Sequence, residues 1–363
     1  MSATLSRYLA WRLVASVGGL FIAFTLLIML IDLIENLRFA GKYVDGSVVF
    51  ALKITGLRAL SLTQVLSPFL FLFGGLWCFH QLNRRSEIAV MRAAGLSIWR
   101  VLLPPTLVAG VIGAILIIVI DPLSARMMAS SETLQNEAQG RRTSLVQFFN
   151  DGVWLRQRDA KERLMINAKG IDQEKGILRA VTIHRFDANS VFLERIDAPL
   201  ARLQAGTLEM TDASLRMPTE AVARKVRSFT LTTNLTATDL TEQVAKPETI
   251  SVWQLGRFIR LAEAAGLPTK QYYLRYHDLL STPLKLLGMV LIAAAFSIQP
   301  TRLGGTLNLV LGAIGTGFAL YVVTELATAL GESGNVPIAL AAWTPSIIAT
   351  LMAVTGLLHL EDG

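Results

Sequence analysis

Cysteine is almost absent from this chain of 363 residues, because Cys78 is the only one. A single cysteine forms no intramolecular disulfide bond, and the polar middle segment at residues 123–248 contains no cysteine at all. That segment must therefore be stabilised by a core of its own. The shortage excludes a small disulfide-stapled ectodomain, but it leaves an oxidising compartment such as the periplasm open.

Recognisable catalytic motifs are also absent. The sequence contains no GxxxxGK[ST] phosphate loop, no HExxH and no GxSxG. Its histidines, at positions 80, 184, 277 and 359, show no metal-ligand spacing. Asp32 and Glu35 stand three residues apart on one helical face, but acids are common where a membrane span ends. We therefore expect no enzyme activity and no cofactor in this chain.

Charged residues are scarce, at 17% of the chain, where a soluble domain has about 25%. The deficit is concentrated in six stretches without Asp, Glu, Lys or Arg. A membrane helix needs about 20 apolar residues to cross a hydrocarbon core of about 30 Å. We therefore predict six membrane helices, with the fourth extending back to Leu279 if Lys285 is accepted inside it. The stretches are Leu13–Ile31, Ala59–Phe79, Val101–Ile120, Leu286–Thr301, Leu303–Thr324 and Ser333–Leu358.

The polar segment at 123–248 separates the first three spans from the last three. It holds 18 Lys and Arg against 16 Asp and Glu, so the net charge of +7 is not a nucleic-acid footprint. Residues 123–140 favour a helical extension of the third span. From Val146 to Thr241, alternating and β-branched runs are separated by turn residues, which predicts an antiparallel sandwich or jelly roll. The predicted domains are 1–122, 123–248 and 249–363.

Short cytoplasmic loops of membrane proteins are rich in Lys and Arg. The N-terminal tail, the 83–100 loop and the loop after the fourth span carry such residues, whereas the loop after the fifth span carries only Glu332. This balance predicts that both termini are cytoplasmic and that the β-domain lies across the membrane, in the periplasm of a Gram-negative cell. The loop after the first span goes against this trend with Arg38, Lys42 and Lys53.

Residues 251–265 have the pattern of an amphipathic helix. Leu255, Phe258, Ile259 and Ala262 share one face. Such a helix either lies at the membrane surface before the fourth span, which we expect, or packs as a helix of the soluble domain.

The segment from Asn83 to Ser97 follows the second span and contains a short helix pattern at about 84–96. Glu87 stands in the first turn, where its charge favours the helix dipole. Ile88 and Met91 form an apolar edge, and Gly95 suits the end of the helix. The helix either docks in a groove on a cytoplasmic partner or simply anchors a basic loop at the membrane.

Basic residues near the outer leaflet form a third feature, and they include Arg38, Lys42, Arg58, Arg126 and Lys285. Lipid phosphates would supply their counter-charge. Alternatively, nearby acids such as Asp32, Glu35, Asp121 and Glu325 neutralise them.

Two motifs then resemble a known family. Ser67-Pro-Phe-Leu-Phe-Leu-Phe-Gly-Gly-Leu followed by Arg85-Ser-Glu-Ile-Ala-Val-Met-Arg-Ala-Ala-Gly is similar to the second span and coupling helix of the LptF/LptG lipopolysaccharide-export permeases. The order of three spans, a periplasmic jelly roll and three spans is also theirs. The segment from Leu255 to Gly266 and the region of Pro283 resemble the LptG branch more than the LptF branch.

This resemblance implies a permease subunit of an ABC transporter in the bacterial inner membrane. Such a subunit extracts lipopolysaccharide and passes it to a periplasmic bridge protein. Its expected partners are an LptF-like six-span permease, a dimeric LptB-like ATPase that holds ATP and Mg, and a single-span LptC-like protein.

The resemblance also implies roles for particular residues. Those expected to couple to the ATPase are Arg85, Glu87, Met91, Arg92 and Gly95. Those expected to contact lipid phosphates are Arg38, Lys42, Arg126, Lys285 and Arg302. Asp32 and Phe39 stand where basic residues occur in the family. The competing hypothesis is a membrane-anchored envelope protein whose β-domain binds partners without transport.

Overall fold

The structure, a computed structural model, describes residues 2–139, 147–149, 152–158, 162–172, 176–187, 191–204, 206–218, 223–233, 245–298 and 306–362. The chain forms two compact units. Met1–Met128 and Tyr273–Gly363 make the membrane unit, and Ala129–Tyr272 makes the β unit. Each unit is described by itself below.

The helices up to the insert are α1 (Ala3–Tyr43), α2 (Val48–Val65), α3 (Ser67–Arg84), α4 (Glu87–Ala93), α5 (Ile98–Ile115) and α6 (Asp121–Ala138). A π-helical turn at Leu116–Ile120 joins α5 to α6. The helices after the β-strands are α7 (Val252–Ala264), α8 (Lys270–Ser297), α9 (Thr306–Ser333) and α10 (Ile338–Asp362).

The prediction of six membrane helices is confirmed. Six helices in the described residues are long and apolar enough to cross a membrane. They are Ala3–Tyr43, Val48–Val65, Ile98–Ala138, Lys270–Ser297, Leu311–Ser333 and Ile338–His359. The third runs on through α6, as the polar extension at 123–140 predicts.

The second span differs from its predicted limits. The helix begins at Val48 rather than Ala59 and is interrupted at Leu66, after which α3 begins with Pro68 in its first turn. Proline has no N–H to continue the hydrogen-bond ladder and its ring collides with the preceding turn. The apolar stretch 59–79 is therefore divided between α2 and α3.

Glycines set the closest approaches between helices of the membrane unit. A Cβ at Gly74 of α3 would lie 2.6 Å from Val17 Cγ2 of α1, and a Cβ at Gly113 of α5 would lie 2.6 Å from the Cα of Pro283 in α8. Small residues let helix backbones approach closely where no hydrophobic effect drives their association. These two contacts join α1 to α3 and α5 to α8.

In the described residues of the β unit, seven strands form one antiparallel sheet in the order β1 to β7. The strands are Gln147–Phe149, Gly152–Arg158, Glu162–Asp172, Ile177–Asp187, Phe192–Gln204, Thr207–Arg216 and Arg224–Thr232. The prediction of an all-β insert is thus confirmed. A jelly roll has two sheets with Greek-key connections, but each described strand pairs with its neighbours in sequence, as in a meander.

Alternation along the strands places one face of the sheet in a core. Ile166, Ile183, Ile196 and Leu208 from four successive strands are fully buried there. This pattern follows from the two-residue period of a strand, in which every second side chain points to the same face.

The helix predicted at residues 251–265 is confirmed, and its apolar face packs against the sheet. Helix α7 begins after Ser251 and ends before Gly266, which has φ +77°. Leu255 and Ile259 are buried, Ala262 belongs to the core of the sheet, and Phe258 packs against that core. These contacts support the packed-helix alternative, and the β unit extends to Tyr272.

Candidate functional site

Helix α4 is short because both of its ends are set by backbone turns. Ser86, just before it, has φ +59°, and Gly95, just after it, has φ +83°. Glycine adopts such left-handed angles without a steric cost, whereas serine does so only with some strain. The chain therefore leaves α3, turns sharply and presents one isolated helix between α3 and α5.

Glu87 connects α4 to α1. The hydroxyl of Tyr8 donates a hydrogen bond to Glu87 Oε2 at 2.8 Å. The Nε of Arg12 donates to the same hydroxyl at 3.0 Å, and its Nη2 lies 3.9 Å from Glu87 Oε1. Glu87 is therefore joined directly to the first turns of α1, a membrane helix of 41 residues. Tyr8 was not predicted as a functional residue, because only its proximity to Glu87 in three dimensions distinguishes it.

The predicted apolar edge of α4 faces inward. Ile88 and Met91 are 3% and 8% exposed and belong to the core of the membrane unit. The amphipathic pattern of α4 is thus satisfied within the chain. The coupling role of Met91 stays a prediction.

The opposite face of α4 is open to a partner. Val90 is 66% exposed, and Ala89 and Ala93 are exposed beside it. Arg85 and Arg92, two of the predicted coupling residues, are also exposed, as is Gly95. This face combines a small apolar centre with two cations, the composition of a surface that binds an acidic and apolar groove.

A second polar group lies between α1 and α2, inside the membrane unit. The Nη1 of Arg58 lies 3.1 Å from Asp32 Oδ1. The Nδ2 of Asn36 donates to Asp32 Oδ2 at 2.7 Å and to the hydroxyl of Thr55 at 3.0 Å. Asp32, Asn36 and Thr55 are all buried. The sequence analysis did not predict this cluster. The only indication in the sequence was that Asp32 and Asn36 are four residues, about one helical turn, apart.

Two further acids are paired with bases in the membrane unit. Asp121 is inaccessible to solvent and accepts from Arg275 Nη2 of α8 at 3.1 Å. The Nζ of Lys285 donates to Asp278 Oδ1 at 2.6 Å. For Arg58 and Lys285, these contacts support the alternative in which local acids supply the counter-charge.

The predicted lipid-contact residues fall into three groups. Arg38, Lys42 and Arg126 are exposed, with Arg38 and Lys42 one turn apart on α1. The Nζ of Lys42 lies 5.1 Å from the centre of the Tyr43 ring. Lys285 is largely buried beside Asp278, and Arg302 lies outside the described residues.

Charges in the β unit cluster at the end of the β4–β5 hairpin. Arg185 binds Glu162 of β3 through Nη2 at 2.9 Å and also pairs with Glu194 of β5. The neighbouring His184 ring stacks with Trp154 at a centroid distance of 6.4 Å. Burial, followed by the nearby charge of Arg195, lowers the pKa of His184 below its ordinary value.

No metal centre is found in the part of the chain that the structure describes, since no three His, Cys, Asp or Glu side chains come together there in a way that would hold an ion. The geometry instead offers one helix, α4, with an exposed face and a polar link to α1, and several ion pairs among the membrane helices.

Comparison with known proteins agrees with this description. Residues 7–359 match the family model described as lipopolysaccharide export system permease LptF/LptG. The chain is 25% identical over 295 residues to the lipopolysaccharide export system permease protein LptG of Escherichia coli strain K12, covering 78% of each chain. It is 22% identical over 357 residues to the protein of that name from Haemophilus influenzae, covering 96% of each.

Proposed function

Because the chain belongs to the LptF/LptG family of lipopolysaccharide export permeases, we propose that it is the LptG-type permease subunit of an ABC transporter. In this proposal it extracts lipopolysaccharide from the inner membrane and passes it to a periplasmic bridge toward the outer membrane. The observation that carries the proposal is the connection of the exposed helix α4 to α1 through Glu87.

The coupling step follows from that connection. A cytoplasmic ATPase dimer binds the face of α4 formed by Arg85, Ala89, Val90 and Arg92, all of which are accessible. Movement of α4 then pulls on Tyr8 and Arg12 through Glu87. Since α1 has 41 residues and is a single helix, a displacement at its cytoplasmic end is transmitted along the whole span. In this mechanism α4 and α1 have two positions, and the state of the bound ATPase determines which position is favoured.

ATP and Mg are bound by the partner, and this chain performs no chemistry of its own. The other partners are an LptF-like permease, an LptC-like single-span protein and the bridge protein. Both termini are cytoplasmic and the β unit is periplasmic. Arg38, Lys42 and Arg126 are the accessible cations that would contact the lipid phosphates, since each is exposed.

The first experiment is purification of the full chain from its native envelope in mild detergent, with co-purifying proteins and lipids identified by mass spectrometry. We expect an ATPase, a second six-span chain and lipopolysaccharide. Recovery of the chain alone with bulk phospholipid would contradict the proposal and support an anchored interaction protein.

The coupling role is tested in the reconstituted complex with Glu87→Gln and Tyr8→Phe. Tyr8→Phe removes only the hydroxyl that bonds Glu87, so it leaves the partner-facing side of α4 unchanged. We expect ATP hydrolysis to continue while lipid release falls about tenfold, the value of one charge-assisted hydrogen bond. Trp11→Phe is the matched control, because Trp11 is a 68% exposed aromatic on the same helix. Equal lipid release by wild type and Tyr8→Phe would refute transmission through this contact.

A further inference from the structure

Helix α7 has an exposed stripe on the side opposite the face that packs against the sheet. The stripe consists of Trp253, Arg257, Arg260 and Ala264, which are all exposed. Their spacing of four, three and four residues places them on one line along the helix. Trp253 is 64% exposed, although a tryptophan in a soluble domain is normally well buried. The stripe therefore offers a large aromatic side chain to a contact outside the chain.

The charges beside Trp253 indicate what kind of contact this is. Neither Arg257 nor Arg260 forms an ion pair or a hydrogen bond in the part of the chain that the structure describes. The one acid of α7, Glu263, lies on the flank of the stripe and accepts a hydrogen bond from the Thr269 hydroxyl at 3.4 Å. Exposed arginines alone are simply solvated, but two of them in line with an exposed tryptophan favour an anionic lipid surface.

Helix α7 is held beside the start of a membrane helix. The ring centres of Phe258 in α7 and Tyr272 in the first turn of α8 lie 4.7 Å apart. Tyr272 stands seven residues before Leu279, where the apolar part of α8 begins. Seven residues of helix extend about 10 Å, and the headgroup layer on each side of a bilayer is about 5–8 Å thick. The contact therefore holds α7 close to the level of the lipid headgroups.

We infer that the stripe of Trp253, Arg257, Arg260 and Ala264 lies on the bilayer surface and binds the headgroups of anionic phospholipids. Guanidinium groups donate to phosphate oxygens, and tryptophan is enriched at headgroup depth. The shape of the stripe identifies the occupant. A site for one lipid molecule is concave and surrounds it, whereas a convex helical stripe fits a plane of many headgroups. The contact attaches the β unit to the membrane through a side chain pattern that is independent of the lipid transported.

The test uses the full chain, with the proteins that accompany it, in nanodiscs of phosphatidylcholine with or without phosphatidylglycerol. Cys78→Ala combined with Ala264→Cys leaves a single thiol on the stripe, and this thiol carries a fluorophore. A nitroxide on the lipid headgroup quenches the fluorophore only at short range. We expect stronger quenching in the discs that contain phosphatidylglycerol, because their surface is anionic.

Arg257→Gln with Arg260→Gln, made in the labelled chain, removes the charge of the stripe. One basic residue near an anionic surface contributes about 1 kcal/mol, or about fivefold. We therefore expect the ratio of bound to unbound stripe to fall about thirtyfold. Replacement of both residues by Lys keeps the charge and should retain most of the quenching.

The matched control is Arg224→Gln with Arg227→Gln, because it removes the same charge from exposed arginines on the last strand of the sheet. Its quenching should equal that of the labelled parent. Equal melting temperatures of the two double variants would show that neither change unfolds the β unit.

Three results would overturn the inference. The first is quenching that does not depend on phosphatidylglycerol or on Arg257 and Arg260. The second is quenching that appears only when lipopolysaccharide is added to phosphatidylcholine discs, which would assign the stripe to the transported lipid. The third is a label protected from aqueous iodide but not quenched by headgroups, which would assign it to an accompanying protein. The measurement needs only this chain in a bilayer, so it stays valid if the proposed function fails.

Discussion

The most buried ion pairs of the membrane unit and an exposed ion pair of the β unit differ in their access to water. In the membrane unit, Asp32 is 6% exposed and held by Arg58, and Asp121 is wholly buried against Arg275. In the β unit, the Arg195–Asp197 pair lies on the surface, with side chains 44% and 30% exposed. Water can compensate the second kind of pair but not the first, because the bilayer core holds no water.

Apolar side chains show the reverse contrast. Leu26, Leu107 and Phe318 of the membrane unit are more than half exposed, since lipid is their solvent, whereas Ile166, Ile183 and Ile196 of the sheet are buried. The difference teaches that exposure of an apolar residue says little in the membrane unit, whereas an unpaired charge says much. In the β unit, an exposed apolar side chain is informative, whereas an unpaired charge at the surface says little by itself.

The largest expected effect tests the intramembrane pair. Asp32→Ala leaves the partly buried guanidinium of Arg58 without its counter-charge. We expect the membrane unit to lose about 3 kcal/mol of stability, the cost of breaking such a pair. Thermal unfolding in detergent, followed by tryptophan fluorescence, measures the loss.

The double variant Asp32→Leu with Arg58→Leu removes both charges and should recover most of that stability, because a pair replaced by apolar side chains is often neutral. Removal of one partner of the exposed β-unit pair, Asp197→Ala, should cost less than Asp32→Ala. Equal losses for the two single variants would contradict the contrast between the units.

A smaller effect concerns the packing of helices. Gly113→Ala places a methyl group 2.6 Å from the Pro283 backbone, which cannot move aside as a flexible side chain would. We expect a loss of about 1–3 kcal/mol from overpacking, read as a lower melting temperature. Gly110→Ala on the same helix is the control, because nothing lies within 4 Å of its added Cβ, and it should be neutral or stabilising. A similar loss for both variants would show that backbone flexibility rather than the α5–α8 contact is responsible.

The smallest effect is a pH dependence of the β unit. Burial and the charge of Arg195 lower the pKa of His184 in the folded state, so the unfolded chain takes up a proton first as the pH falls. The stability that neutral His184 contributes is fully present above its unfolded pKa of about 6.5. It is lost as the pH falls through that value toward the folded pKa.

Hydrogen exchange of the β4 and β5 amides at pH 7.5 and 5.5 should therefore show weaker protection at the lower pH in wild type. His184→Gln should reduce this change. His277→Gln in the membrane unit serves as the control for removal of a histidine. In this variant the change in protection between the two pH values should be the same as in wild type. A wild-type response that persists in His184→Gln would assign the pH dependence to another group.

Several features were predictable because they depend on short stretches of chain. The six spans follow from the length of uncharged runs, and the strands follow from two-residue alternation. The limits of the second span were missed, since the helix continues past Lys53 and Arg58 as far back as Val48. Arg58 is accommodated there because Asp32 of the neighbouring helix α1 pairs with it, and hydropathy does not register such a partner.

The faces of amphipathic helices were harder to assign. The sequence patterns of α4 and α7 both predict an apolar face, but they do not predict which part of the protein or its surroundings covers that face. For α4 this is the core of the membrane unit, and for α7 it is the β unit. A hydrophobic stripe has the same sequence whether it meets its own domain, a bilayer or a partner.

By itself, the sequence determined the class of the protein, the number of spans, the inserted β unit and the position of the helix that carries Glu87. Those are local properties, set by run length, period and turn residues. Only the tertiary structure decided which charges meet. Glu87 accepts a hydrogen bond from Tyr8, 79 residues away in sequence, and Asp121 accepts one from Arg275, 154 residues away. Such pairs depend on how helices cross, and no local pattern of hydrophobicity specifies that crossing.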